Sequence, residues 1–375
     1  MYLNAKIRAT IILQETGNTV LLPYVTSVSV SNDSQHIGAT CDLVVPLNQR
    51  IEYGVDEKTN KSLTAPLKQL FQTGDQIKIE ASYDGYPTIT VFEGFLFDFY
   101  EGTPMKIKCY DYIYRLNFVA PITISYPDKK GNPDRIKLST FIAKILDGTE
   151  ISLITIKDKY TDKNGALQTN TLYDLTLFNI SFVSMTPAAI LEHLKKELGF
   201  NISLDGNKLY VNIASNTVST AKFDTRQNVF ACDLQPNRLT VGTRNKSLFQ
   251  NIKVKAWFYR EDTGKKESIE VGDPTGQNRD VFFYRIDVRG KTDAQKTSIY
   301  TKLANEALEK FKQRRFNGTI ETYLYPNVDL FWRVEYFDYS YPERNGIYSV
   351  TSIEITLDES GFHRKIKLAY LGELV

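Results

Sequence analysis

The chain has no apolar run near the roughly 18 residues that a membrane-crossing helix needs, so no helical span is expected. Its first residues, Met1-Tyr2-Leu3-Asn4-Ala5-Lys6-Ile7-Arg8, pass into an alternating strand pattern without the basic segment and apolar core of an export signal, which predicts synthesis and assembly in the cytoplasm. Cysteine is scarce: Cys41, Cys109 and Cys232 are odd in number and far apart, which argues against a disulfide framework and a CxxC metal knuckle. Cys109 falls in phase with Met105 and Ile107, the pattern of a buried free thiol. An excess of one charge is also missing, with Lys+Arg 46 against Asp+Glu 44 in 375 residues. No global basic field calls for nucleic acid or an anionic membrane, and no specific nucleic-acid recognition is expected.

Catalytic signatures are missing as well. Gly264-Lys265-Lys266 lacks the upstream Gly and the following Ser or Thr of a phosphate loop, and there is no GxGxxG, GxSxG or HExxH. His36, His193 and His363 fall in a loop, a helix and a strand far apart in sequence, so a metal or triad role would need long-range convergence. A calcium loop with Gly165 at its sixth position would put Tyr160 first and Thr171 twelfth, where carboxylates are required. Asp98 and Asp111 lie on neighbouring predicted strands and could be imagined as a glycosidase pair, but nothing fixes their separation. Lys310, Lys312, Arg314 and Arg315 complement the negative end of a helix. No catalytic residue, cofactor or metal is expected, and the chain reads as a non-enzyme.

Aromatic residues are plentiful at 12%, with 23 Tyr and 21 Phe, which favours pleated sheets and large contact surfaces. The run Tyr323, Tyr325, Phe331, Trp332, Tyr336, Phe337, Tyr339 and Tyr341 suits strand cores and subunit interfaces, with a carbohydrate platform as the other reading. Two distant stretches share one pattern. Residues 71–80, 91–96 and 105–109 give a turn with an acid, an alternating strand, a Gly-marked strand and another alternating strand; residues 327–335, 345–350 and 364–368 do the same. The markers are Gly74, Asp75 and Gly94 in the first copy, Asp329 and Gly346 in the second, and the acid-to-Gly spacings are close, 94 − 75 = 19 against 346 − 329 = 17. A duplicated β module follows.

Residues 1–117 read as the first β module, with a long polar excursion from Asn48 to Gly74 holding one short helix near Leu67–Phe71. Residues 118–215 read as a small α+β region. Ser139 opens a helix carrying Phe141, Ile142 and Ile145. Thr186 and Pro187 open another carrying Ile190, Leu191, Leu194 and Leu198, and Asp205-Gly206-Asn207 marks a tight hairpin. Residues 216–375 read as the second module, with strands at Leu239–Thr243 and Ile252–Phe258, an exposed hairpin loop over 261–280, and a long helix over 293–315 opened by Thr292-x-x-Gln295 and packed on its own barrel. The fold class expected is β-rich α+β, with two related antiparallel barrel domains separated by the smaller middle region.

This order resembles the central baseplate hub proteins of contractile bacteriophage tails, the late-control tail protein family, whose fold is shared with the N-terminal part of type VI secretion spike proteins. The telling stretch is the helix at 293–315, then Asn317-Gly318-Thr319-Ile320, the Pro326-Asn327-Val328-Asp329 turn, the strand Asn345-Gly346-Ile347-Tyr348-Ser349-Val350 and the closing strand Arg364-Lys365-Ile366-Lys367-Leu368. The family often has Gly before the turn acid; Val328 stands there in the second copy, while Gly74-Asp75 keeps the family form. The resemblance implies a homotrimer in which each chain gives two tube-like barrels, so that three chains present six similar surfaces to a hexameric tail tube. It also implies a separate spike chain, since the sequence ends at Leu374-Val375 without appended spike repeats, contacts with other baseplate proteins, and a place in the virion tail baseplate. Phe95, Phe97, Phe99, Tyr348, Val350, Ile366 and Leu368, on the strands expected to wall the ring, become the candidate assembly-interface residues. A carbohydrate-binding surface protein and a tail-associated cell-wall hydrolase stand as the alternatives.

Overall fold

The structure, a computed structural model, describes residues 5–47, 49–56, 61–100, 102–126, 135–154, 157–161, 167–171, 176–177, 180–198, 200–212, 220–236, 252–259, 266–283, 291–312, 316–358 and 361–372. Thirteen strands form one sheet. They are β1 (Ala5–Ile12), β2 (Thr19–Leu22), β3 (Ser27–Asp33), β4 (Thr40–Val45), β5 (Gln76–Tyr83), β6 (Ile89–Tyr100) and β7 (Met105–Tyr110) from the first half. The second half gives β8 (Thr220–Asp224), β9 (Val229–Pro236), β10 (Phe316–Thr322), β11 (Arg333–Phe337), β12 (Gly346–Asp358) and β13 (Gly361–Gly372).

Alternation sets which face each strand buries. In β5 the residues Ile77, Ile79, Ala81 and Tyr83 point inward, and in β7 Met105, Ile107 and Cys109 do so while Lys106 is exposed. Cys109 and its register partner Cys41 are both buried free thiols.

The sheet order is β2-β1-β5-β6-β7-β4-β3-β12-β13-β10-β9, with β11 on the side of β12 and β8 parallel to β11. Two runs within it have the same topology. The order β5-β6-β7-β4-β3 in the first half matches β11-β12-β13-β10-β9 in the second, strand for strand in chain order. The two runs are one continuous sheet, because β3 pairs with the far part of β12 from Ser352↔Asp33 to Leu357↔Val28. Among the described residues neither run closes on itself, so the molecule is mostly antiparallel β without a closed ring of strands.

The middle region shares an apolar core with the end of the first module: Phe95, Tyr112 and Leu116 pack with Phe141, Leu191 and Ile202. Its helices are Leu138–Ile145 and Pro187–Leu198. The first begins one residue before Ser139, on Lys137 and without a side-chain cap, because Leu138 is drawn fully into the core. The second is capped as expected, Ala189 N–H donating to Thr186 Oγ1 at 3.3 Å. It is tied to the first module, where Glu192 accepts from Ile37 N–H (2.9 Å) and Lys195 donates to His36 O (2.6 Å). The hairpin at Gly206-Asn207 joins Asn201–Asp205 to Lys208–Asn212, with Gly206 at φ +55°.

Two expected loops are paired strands. Arg50–Asp56 and Lys61–Pro66 form a hairpin inside the 48–74 excursion, ahead of the short helix Leu67–Leu70. Lys266–Gly272 and Gln277–Phe283 flank Ile252–Tyr259 in a three-stranded sheet, so the described part of the expected loop, 266–280, is largely sheet, while 261–265 lie outside the described residues. Its charged outer residues hide the pattern, since Lys253 and Lys255 both reach Glu270 across the strands. The long helix, Asp293–Lys312, packs Tyr300, Ala304, Ala307 and Leu308 on this small sheet and not on the large one. Its capping box is reciprocal: Thr292 N–H donates to Gln295 Oε1 (3.0 Å) and Gln295 N–H to Thr292 Oγ1 (3.4 Å). Residues 313–315 and the strand expected at Leu239–Thr243 lie outside the described residues.

Candidate functional site

The repeated cassettes superimpose at the level of hydrogen bonds. In the first, Gly74 N–H donates to Leu96 O (2.8 Å) and Leu96 N–H to Asp75 O (2.8 Å); in the second, Phe331 N–H donates to Val350 O (2.9 Å) and Val350 N–H to Trp332 O (3.1 Å). Each is reached through a tight turn, Asp75 N–H to Gln72 O and Trp332 N–H to Asp329 O, both 3.2 Å. The third turn residue has positive φ in both copies, +99° at Gly74 and +62° at Phe331. Gly is at ease there, whereas a non-Gly residue is held by its surroundings.

This pairing makes Asp75 the counterpart of Trp332 and Asp329 the counterpart of Gln72. The two acids therefore stand at opposite ends of one turn. Asp75 accepts from Gln14 N–H and Gln72 N–H, both 2.8 Å, and so joins the turn to the loop after β1. Asp329 accepts from the N–H of Leu330 at 2.7 Å.

The likeness continues into the strands. Leu96↔Cys109 is followed by Asp98↔Lys108, and Val350↔Leu368 by Ser352↔Lys367, so Phe97 and Thr351 are the same bulge residue in the two copies. Gly94 lies where an added Cβ would stand 2.2 Å from Tyr110 O, which explains a Gly in mid-strand. Gly346 is buried opposite Tyr336.

Of the seven candidate interface residues, Phe95, Tyr348, Val350, Ile366 and Leu368 are buried within this chain. Their side chains are committed to the chain's own core and cannot also cover a partner, so those five assignments are corrected. Phe97 is exposed at 37% and Phe99 is half-buried. What the strands do present is their other face, where Lys106, Lys108, Lys365 and Lys367 alternate with Asp42, Glu321 and Glu354. Lys365 reaches Glu321 at 3.5 Å.

At the junction of first module, middle region and second module lies a cleft of about 390 Å³, lined by Glu93, Asp111, Asp205, Tyr210, Asp329 and Arg364 among others. Asp111 accepts from Ala39 N–H (2.6 Å) and Ile113 N–H (2.9 Å) and so holds the backbone on both sides. Burial pushes the Asp111 carboxyl up to about 7 and that of Asp329 to about 6. Arg364 is a buried cation whose hydrogen bonds among the described residues go to neutral groups, Thr322 Oγ1 (2.8 Å), Leu324 O (2.8 Å) and Pro326 O (2.9 Å), and burial lowers it to about 9. Sequence reasoning passed over it, although the inward phase of Phe362, Ile366 and Leu368 also contains position 364. Among the described residues no His/Cys/Asp/Glu cluster has metal-binding geometry.

The fold, a duplicated five-strand run in one continuous sheet with a helical region packed on its first copy, is similar to that of solved tail proteins. The chain superimposes on the 43 kDa tail protein of prophage MuSo2 from Shewanella oneidensis with a TM-score of 0.53 at 14% identity, over 98% of both chains. It matches a tail protein of Neisseria meningitidis MC58 with a TM-score of 0.53 at 12% identity, over 96% of both. A type VI secretion component of Escherichia coli also matches, with a TM-score of 0.47 at 8% identity over 99% of this chain and 77% of that one. At these identities the likeness to the first two shows the fold alone. No family model matches the chain, and no curated protein does so by sequence.

Proposed function

We propose that this chain is a structural hub of a phage tail baseplate, or of a prophage-derived injection particle, and not an enzyme. Three copies form a ring in which each contributes two tube-like modules; the six modules meet a hexameric tail tube on one side, and a separate spike chain docks on the other. The observation that carries this reading is the duplicated run β5-β6-β7-β4-β3 and β11-β12-β13-β10-β9. A threefold object can match a sixfold one only by offering two similar surfaces per chain, and duplication supplies them.

The solvent face of the sheet supports the same reading. Its lysines are interleaved with carboxylates, a mixed-charge wall that suits a passage through which a payload moves without being held. The fold likeness to the tail protein of prophage MuSo2 and to the tail protein of Neisseria meningitidis MC58 supports this reading. Quantitative mass spectrometry of purified particles tests the stoichiometry: three copies of this chain are expected per particle for every six in one ring of the tube protein. Six copies, or absence from the particle, would sink the reading.

A further inference from the structure

One junction between modules is visible inside the chain. There β12, beyond the part that pairs with β11, lies antiparallel to β3, with Ser31↔Glu354 and Val30↔Ile355 in register. Leu324, Leu357 and Phe362 of the second half enter the first half's apolar core at this seam. By the equivalence of the two runs, the second module owns a strand like β3, namely β9, and the first owns a strand like β12, namely β6.

Both of these are unused. The sheet ends at β9, whose outer edge has no partner strand among the described residues. In β6, pairing with β5 stops at Phe95, and among the described residues Asp98–Tyr100 have a strand neighbour on the β7 side alone. Exposed aromatic residues flank both edges, Phe230 (44%) and Tyr323 (40%) beside β9, Phe97 and Tyr100 (59%) on β6. Phe230 and Tyr323 already pack against each other as a tilted pair with ring centroids 5.3 Å apart, forming a small apolar surface at the end of the sheet.

We propose that the outer edge of β9 is a docking edge for a second copy of this chain, which lays the Asp98–Tyr100 edge of its β6 against it as β12 lies against β3. The inference rests on the trimeric reading and adds the surfaces and the register. Matching Cys41 with Gly318 and Val30 with Leu234 through their ladders sets Tyr100 of one copy opposite Gln235 of the next, the positions held by Glu354 and Ser31 in the seam. The contact is head-to-tail, so repeating it does not end at a pair, and on the trimeric reading three repeats close a ring.

This junction is shorter than the internal seam. The β6–β7 ladder stops at Tyr100↔Lys106, whereas β12–β13 runs on to Asp358↔Gly361, and Pro236 brings no N–H to the β9 edge. Chains therefore part from one another before the two modules of one chain part.

Cross-linking tests the register on the full-length protein. The double variant Tyr100→Cys with Gln235→Cys, mildly oxidised or treated with a short bismaleimide, is expected to give covalent dimers and trimers, while either single variant gives none beyond wild type. Ser31→Cys with Glu354→Cys serves as the positive control and is expected to close within one chain. If the solution mass is that of three chains and the control closes, but the Tyr100/Gln235 pair gives no intermolecular product, the docking edge is wrong and the trimeric reading survives. A solution mass of one chain with no cross-link overturns both.

Discussion

Ser31 and Glu354 face each other on adjacent antiparallel strands although 354 − 31 = 323 residues separate them along the chain. Around this pair the halves are joined by more than ladder bonds. Tyr83 meets Phe362 edge to face at 5.1 Å, Tyr86 stacks on Tyr325 at 5.1 Å, and the Tyr325 hydroxyl donates to Pro87 O.

The halves should therefore unfold together. Tryptophan reports only the second half, where both Trp257 and Trp332 lie, while the buried thiols Cys41 and Cys109 report the first. Denaturant curves from fluorescence and from thiol labelling are expected to coincide, and Leu357→Ala should shift both by the same amount, about 2–5 kcal/mol. Two separated midpoints would show that the seam does not couple the halves.

Gly94→Ala is expected to be costly for a steric reason. The new Cβ would stand 2.2 Å from Tyr110 O and 2.8 Å from Asp111 Cα, both backbone atoms of the neighbouring segment. A loss of about 3 kcal/mol is expected, at the upper end of the range for overpacking, read from the urea midpoint. A change below about 0.5 kcal/mol would mean that the strands can separate there without penalty.

Arg364 fixes the chain between β10 and β11 by three bonds to Thr322, Leu324 and Pro326. Arg364→Met keeps much of the volume but leaves the buried Leu324 carbonyl unpaired, at about 1–3 kcal/mol, and the half-buried Pro326 carbonyl at less. Arg364→Lys should not restore stability, because one ammonium cannot reproduce the fork of a guanidinium. Thermal melting of the two variants checks this, with a wild-type midpoint for the lysine variant as the contrary result.

Asp111 and Asp329 set a pH dependence of known sign. Each carboxyl is raised in the fold, to about 7 and about 6, above its ordinary value of 3.8. Their contribution to stability is therefore fully present below that ordinary value and is lost as pH rises through 6 and then 7. Asp329→Asn retains an acceptor for Leu330 N–H but cannot ionise, so its melting temperature should fall less than wild type's between about pH 4 and pH 6. Parallel curves for the two proteins would assign the dependence elsewhere.

Much of this fold was legible because strands with one wet face announce themselves by alternation. Met105-Lys106-Ile107-Lys108-Cys109 and Arg364-Lys365-Ile366-Lys367-Leu368 are counterparts in both sequence and ladder. The acids misled, since Asp75 and Asp329 occupy opposite ends of the same turn and only backbone hydrogen bonds reveal it. Burial was missed at Phe95 because the middle region covers that face of β6, packing Phe95 with Tyr112, Phe141 and Leu191, and at Val350 because its phase, shared with Tyr348, serves the chain's own core. The seam was not legible at all. Nothing local in Ser27–Asp33 states that its partner is Gly346–Asp358, because strand pairing at that separation depends on the whole tertiary arrangement.

The central claim is that three chains make a ring of six modules, and native mass spectrometry combined with electron-microscopic class averages of the purified protein addresses it most directly. The expected mass is 3 × 42.9 = 128.7 kDa, with six-lobed rings of threefold symmetry around a central opening. A mass that stays at 42.9 kDa up to the highest soluble concentration, with compact single particles in place of rings, would contradict it.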